Sequence, residues 1–117
     1  MARPVTLYGI SSCDTIRKAK TWLRNKHIEF EFHDYRKLGL EQKLLESMIS
    51  VLGWEAMLNR RGTTWRALPD TIKEQIDQAS AMRVMLDNPA IIKRPILNRA
   101  GQLHLGFSER QYQEIFN

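Results

Sequence analysis

Cys13 is the single cysteine of this 117-residue chain. It stands in the run Tyr8-Gly9-Ile10-Ser11-Ser12-Cys13-Asp14-Thr15-Ile16-Arg17-Lys18-Ala19. The residues before it read as an apolar strand and those after it as a helix, so the thiol falls at a strand-to-helix join. The free N–H groups and positive end of a helix favour the thiolate there, the form of sulfur that does nucleophilic chemistry. Asp14 pulls the other way, because an adjacent carboxylate raises a thiol pKa by like-charge repulsion. An acid at a helix start also has an ordinary use, interaction with the helix dipole. Arg17, one turn on, and Lys18 are unfavourable near a helix N-terminus unless an anion offsets them. On local sequence alone, Cys13 reads equally as a reactive thiol and as a small buried hydrophobe.

Few other residues offer chemistry. Arg94-Pro95 and the pair Arg60-Arg61, with Arg66 nearby, are the arginines whose setting stands out. A guanidinium brings a fixed charge and paired donors suited to an oxyanion or carboxylate. Arginines at strand ends and in loops are also common without any role, and a proline opening an edge strand needs none. His27, His33 and His104 have no metal-ligand spacing with one another, so no metal site is expected. No Gly-rich phosphate loop is present.

The elements that must position these residues follow from periodicity and turn chemistry. Pro4 to Ile10 reads as a short buried strand. From Cys13 to about Lys26, Ile16, Ala19, Trp22 and Leu23 recur at helical spacing. Ile28, Phe30 and Phe32 alternate with Glu29, Glu31 and His33 as in a half-buried strand, and Tyr35 to Gly39 leads out of it. Leu44, Leu45, Met48, Ile49 and Leu52 mark a helix that Gly53 ends, with a further turn over Trp54–Leu58 and then a loop from Arg60 to Trp65. Pro69-Asp70 opens a helix carrying Ile72 and Ile76. Ser80 is the expected cap of another, which stops before Asn88-Pro89. Ile96-Leu97 and Leu103 to Leu105 read as strands joined by Asn98-Arg99-Ala100-Gly101, with His104 alternating outward. Ser108-Glu109-Arg110-Gln111 has capping-box form and opens a last helix through Ile115 and Phe116. The order β-α-β, helices, β-β-α predicts an α/β fold with a mixed sheet: one parallel pair with a right-handed crossover and an antiparallel hairpin at the edge. That is the thioredoxin order with a helical insertion.

Composition sets the bounds. The length predicts one domain over 1–117, and 43% hydrophobic with 26% charged residues is ordinary for a globular chain. The first residues, Met1-Ala2-Arg3-Pro4-Val5, carry no apolar run of a secretory signal, and no stretch approaches the ~20 apolar residues of a membrane span. One cysteine forms no internal disulfide, which suits a reducing compartment. A cytoplasmic protein away from membranes is expected. The net charge of +5 admits nucleic acid, acidic proteins or small anions. The basic residues are spread among acids, with no aromatic-interleaved stripe, so direct nucleic-acid binding is not expected.

The whole chain also resembles the ArsC-like family, which contains glutaredoxin-coupled arsenate reductases, Spx transcriptional regulators and YffB-type proteins. Tyr8-Gly9-Ile10 with Cys13-Asp14-Thr15-Ile16-Arg17-Lys18-Ala19 is similar to its signature around the reactive cysteine, and Ile91-Ile92-Lys93-Arg94-Pro95-Ile96 to its second signature. Arg60-Arg61-Gly62-Thr63-Thr64-Trp65-Arg66 and Leu105-Gly106-Phe107-Ser108-Glu109 resemble the YffB-type branch most. The resemblance implies a thioredoxin-like fold in which Pro95 is a cis-proline opposite Cys13 and Arg94 lies beside the sulfur. It implies that one of Arg60 and Arg61 reaches the site, and spacing leaves open which. Arg17 joins Arg94, Pro95, Arg60 and Arg61 as a candidate binding residue.

Two departures separate the branches. Phe107 stands where the arsenate reductases have an arginine, and Ile16 where redox-switch Spx proteins have a second cysteine. The expectation is therefore a glutathione- or glutaredoxin-dependent thiol oxidoreductase with Cys13 as its single reactive thiol and glutathione as co-substrate. No permanently bound cofactor, a small oxidised substrate and a monomeric state complete it. Arsenate reduction, weakened by Phe107, and a non-enzymatic Spx-like regulator binding RNA polymerase are the alternatives.

Overall fold

The computed structural model describes residues 4–117; residues 1–3, read above as free of a secretory signal, lie outside the described residues. In chain order the elements are β1 (Val5–Gly9), α1 (Asp14–Asn25), β2 (Glu31–Asp34), α2 (Tyr35–Leu38), α3 (Gln42–Leu52), α4 (Trp54–Met57), α5 (Thr63–Arg66), α6 (Asp70–Glu74), α7 (Gln78–Asp87), a 3-10 turn (Pro89–Ile91), β3 (Ile96–Arg99), β4 (Gln102–Leu105) and α8 (Glu109–Ile115). They gather into two compact units, one of residues 4–38 with 94–117 and one of residues 39–93. Among the described residues no helix is long and apolar enough to cross a membrane.

The first unit is built on a mixed sheet in the order β2-β1-β3-β4. β1 runs parallel to β2 and antiparallel to β3, and β3 pairs antiparallel with β4. This is the expected α/β fold with its mixed sheet. In β1, Val5, Leu7 and Gly9 are buried while Thr6 and Tyr8 are half-buried, the period-2 signature of a strand covered more on one face. Val5, Leu7 and Leu97 meet Ala19, Trp22 and Leu23 of α1 and Tyr112 of α8, with Phe30, Phe32, Phe107, Ile115 and Phe116 around them. Trp22 and Phe107 both meet the Tyr112 ring edge-on, at centroid distances of 5.6 and 4.6 Å.

Gly9 is required where α1 crosses β1. A Cβ there would stand 2.2 Å from Cδ1 and 2.9 Å from Cγ1 of Ile16, a fully buried side chain. α1 ends in a Schellman arrangement: the Ile28 N–H donates to Leu23 O and the His27 N–H to Arg24 O. His27, at φ +57°, takes the left-handed position that glycine usually fills.

The second unit, residues 39–93, is helical. Its buried side chains include Leu45, Met48 and Ile49 of α3, Met57 of α4, Ala81, Val84 and Met85 of α7, and Ile91 and Ile92. Leu58 and Ile92 form an isolated antiparallel bridge.

Several expected boundaries move, each for a local reason. Ile28 and Phe30 pack on the core but do not join β2, because pairing with β1 begins at Thr6 opposite Glu31. α7 is capped by Asp77, not Ser80. Asp77 accepts from the Ser80 N–H, and Ser80 sits at the third helical position, where its hydroxyl accepts from the Asp77 N–H. Ile76 therefore lies between α6 and α7. Thr63–Arg66, read as loop, closes a helical turn. The hairpin turn is only Ala100-Gly101, both at positive φ (52° and 89°), so Asn98 and Arg99 belong to β3. His104 stands opposite Leu97, which puts it on the core face and not outward, with Nε2 buried.

Candidate functional site

The sheet topology explains why distant segments of the first unit meet. β1 and β2 are parallel, with Gly9 opposite Asp34, so both release the chain at one end of the sheet. β3 is antiparallel to β1, with Tyr8 opposite Ile96, so the residues entering β3 lie at that same end. Residues 10–13, 34–35 and 94–95 converge there. The Arg94–Pro95 peptide bond is cis, as the resemblance implied, and Pro95 is buried.

Cys13 is the N-cap of α1. Its N–H donates to Ile10 O at 3.1 Å, and its carbonyl accepts from the Arg17 N–H at 3.1 Å, the first bond of the helix. The thiol is half-buried and free. Burial pushes its pKa up, but hydrogen bonding from the Ile16 N–H, the Arg94 side chain and the Thr15 N–H, together with the Arg94 charge, outweighs burial. The net result lies below the ordinary thiol value. The two N–H groups belong to the first turn of α1, where no backbone acceptor exists for them.

The Asp14 carboxylate, which spoke against a reactive thiol, pairs with Arg17 one turn on. Both side chains are largely exposed, so the pair is dissolved in solvent and its charges offset each other. Arg17 thus pairs with Asp14 on the exposed side of α1. Arg94 is the cation whose charge and side chain bear on the Cys13 sulfur.

Arg60 and Arg61 lie in the 39–93 unit and are both exposed. The Arg60 guanidinium stacks over the Trp65 ring at 5.3 Å. The Arg61 N–H donates to Asn59 Oδ1, and its carbonyl accepts from the Arg66 side chain. With Glu55, Leu58, Asn59 and Lys93 the two arginines line an open cleft of about 540 Å³. Phe107 is a packing residue, set edge-on against Tyr112.

Two residues at the convergence were not singled out from sequence. Asp34 is the buried charged side chain among the described residues. Its Oδ2 accepts from the Ser11 N–H at 3.1 Å, and its Oδ1 from the Arg36 and Lys37 N–H groups at 3.0 and 3.3 Å. It therefore ties the segment before Cys13 to the start of α2. Burial raises its pKa, but these N–H groups and the Ser11 hydroxyl hold the carboxyl below its usual value. Tyr35, next in sequence and 2% exposed, sits with its hydroxyl beside Arg94. The available signal was Asp34 directly after an alternating strand, an acceptor placed to cap the turn that follows.

Comparison with known proteins agrees with this arrangement. The chain is 42% identical over 112 residues to an uncharacterized protein of Haemophilus influenzae, covering 96% of this chain and 98% of that one. Its fold is similar to a solved structure described as the YFFB (PA3664) protein, at 40% identity and a TM-score of 0.89 over 94% of this chain and 96% of that one. It is also similar to an arsenate reductase (ArsC) related protein from Brucella melitensis, at 45% identity and a TM-score of 0.80 over 97% and 95% of the two chains. More distant likenesses are the global transcriptional regulator Spx of Streptococcus agalactiae, 28% identical over 90% of this chain and 77% of that protein, and, in fold alone, a glutaredoxin from Archaeoglobus fulgidus at a TM-score of 0.53. The sheet is that of the thioredoxin-like ArsC proteins, the ArsC family model matches residues 8–115, and the chain belongs to the ArsC family.

Proposed function

We propose that this chain is a monothiol oxidoreductase that exchanges disulfides with glutathione or a glutaredoxin. The observation that carries the reading is the environment of Cys13, a half-buried thiol whose pKa is lowered by helix N–H groups and by Arg94. The thiolate attacks the glutathionyl sulfur of a mixed disulfide R–S–S–G. A Cys13–S–S–G bond forms, the R–S bond breaks, and R–S⁻ leaves to take a proton from solvent. A glutathione thiolate then attacks the bound glutathionyl sulfur. Oxidised glutathione departs and Cys13 is again a thiolate; the net exchange turns R–S–S–G and one reduced glutathione into R–SH and oxidised glutathione. The chain has no second cysteine, so the resolving sulfur has to come from outside.

Arg94 is the residue proposed to orient a carboxylate of the incoming thiol. The cationic cleft of Arg60, Arg61 and Lys93, within the 39–93 unit, is proposed by itself as an anion-binding site. Incubation with oxidised glutathione, followed by intact-mass measurement, should give one glutathionyl group per chain. The adduct should be absent in Cys13→Ser and be released by reduced glutathione. An unmodified wild-type chain at neutral pH sinks the reading.

A second reading draws on the Spx relatives. A regulator acting by binding RNA polymerase would need no chemistry at Cys13, and stable polymerase capture unaffected by Cys13→Ser favours it. Arsenate reduction ranks lower, because Phe107 offers no charge where an arginine is expected. Arsenate-dependent oxidation of reduced glutaredoxin tests it.

A further inference from the structure

The Tyr35 hydroxyl has no task in the scheme above. It is fully buried and closes no hydrogen bond of normal geometry, although it lies close enough to Arg94 and Cys13 to feel both. Burial, the largest influence, pushes its pKa far above the ordinary phenol value, so the group is an O–H donor at every working pH. A phenylalanine would fill the same space without the cost of dehydrating a hydroxyl.

The neighbours limit what can take this proton. A guanidinium has five donors and no acceptor, so Arg94 can serve the phenol oxygen but never its hydrogen. The N–H groups of Thr15 and Ile16 are donors as well. The Asp34 carboxylate is occupied by Ser11, Arg36 and Lys37. A buried phenol donor without a hydrogen-bond partner, set beside a guanidinium and close to the Cys13 sulfur, is complementary to an anionic oxygen.

We infer that Tyr35 is a binding residue of the Cys13 site, donating its O–H to an anionic oxygen that Arg94 also holds. This deepens the reading of Cys13 as a glutathione-linked thiol, and it rests on that reading only for the identity of the ligand. The shared chemistry is an oxygen anion, which either a glutathione carboxylate or a free tetrahedral oxyanion provides.

Tyr35→Phe tests the inference, because it removes one oxygen and keeps the ring. The rate of Cys13 alkylation by iodoacetamide is measured against added S-methylglutathione in one arm and inorganic sulfate in the other. Thermal unfolding and the pH profile of alkylation are recorded alongside. The expected result is protection of the wild-type thiol in at least one arm, about tenfold weaker in Tyr35→Phe, with an unfolding midpoint equal to or above wild type. Protection by S-methylglutathione identifies a carboxylate as the acceptor. Protection by sulfate alone identifies an oxyanion and upholds Tyr35 while removing support for glutathione. The inference is overturned if neither ligand protects the wild type or if protection is equal in both proteins. It is also overturned if the variant melts well below wild type, which would mean the hydroxyl has a structural partner. A raised thiol pKa with unchanged protection overturns it too, since the proton would then serve the sulfur. Glutathionylation of wild-type Cys13, measured separately, decides the underlying reading independently of these outcomes.

Discussion

Asp34 gives the sharpest test of how the site is held. Its carboxylate accepts three backbone N–H groups, from Ser11, Arg36 and Lys37, and a hydrogen bond to a charged group contributes about 1.5–3 kcal/mol net. The three do not simply add in Asp34→Ala. Arg36 and Lys37 are exposed, so water can reach their N–H groups, whereas Ser11 is half-buried. The expected loss of stability is about 2–4 kcal/mol for Asp34→Ala, and about 1–2 kcal/mol for Asp34→Asn, which keeps one acceptor oxygen but not the charge. The pH dependence follows from the direction of the shift. The folded carboxyl lies below its unfolded value of ~3.9. Its contribution is therefore complete above that value and is lost as pH falls through the folded pKa. Urea unfolding followed by far-UV circular dichroism, between pH 7 and pH 3, measures both effects. An Asp34→Ala loss under about 0.5 kcal/mol, or an Asp34→Asn chain with the acid-side slope of wild type, would refute this account.

Three further outcomes are expected. Gly9→Ala should cost about 1–3 kcal/mol by overpacking against Ile16; adding Ile16→Val, which removes Cδ1, should return part of it, and strict additivity of the two changes in urea unfolding would contradict the close approach. Ala100→Gly should stabilise the hairpin by about 0.5–1 kcal/mol, because Ala100 holds φ +52°; an unfolding midpoint at or below wild type would count against it. The alkylation rate of Cys13 should rise with an apparent pKa below the ordinary thiol value, and Arg94→Ala should raise that pKa; an unmoved profile would exclude Arg94 as the partner of the sulfur.

Much of the fold was legible because its signals are local. Alternation in Val5–Gly9, the helical spacing of Ile16, Ala19, Trp22 and Leu23, and the Ser108 cap all act within a few residues, and each is found where expected. Misplaced boundaries came from interactions that local pattern cannot rank. Asp77 and Ser80 are both competent caps, and only the reciprocal bond between them decides that Asp77 stands outside the helix and Ser80 within it. Ile28 and Phe30 alternate as a strand does, but β1 offers partners only from Glu31 onward. His104 looked outward because its neighbours are leucines; pairing with Leu97 sets its face.

The site was legible in part for the same physical reason. Cys13 announces itself, since a thiol at a helix start is a sequence-local fact. The groups that tune it come from residues 34–35 and 94, and they reach it only through the sheet's register. With Gly9 opposite Asp34 and Tyr8 opposite Ile96, three chain segments are delivered to one end of the sheet. A slip of one residue in the β1–β2 pairing would turn every side chain of β2 to the other face and carry Asp34 away from Ser11. Asp34 opposes such a slip directly, because its carboxylate bonds the segment leaving β1 to the turn leaving β2. One buried carboxylate thus supports the register that assembles the site and ties down the loop that carries the thiol. Loss of stability and altered Cys13 reactivity should therefore appear together in Asp34→Ala, whereas Tyr35→Phe should alter ligand protection without loss of stability.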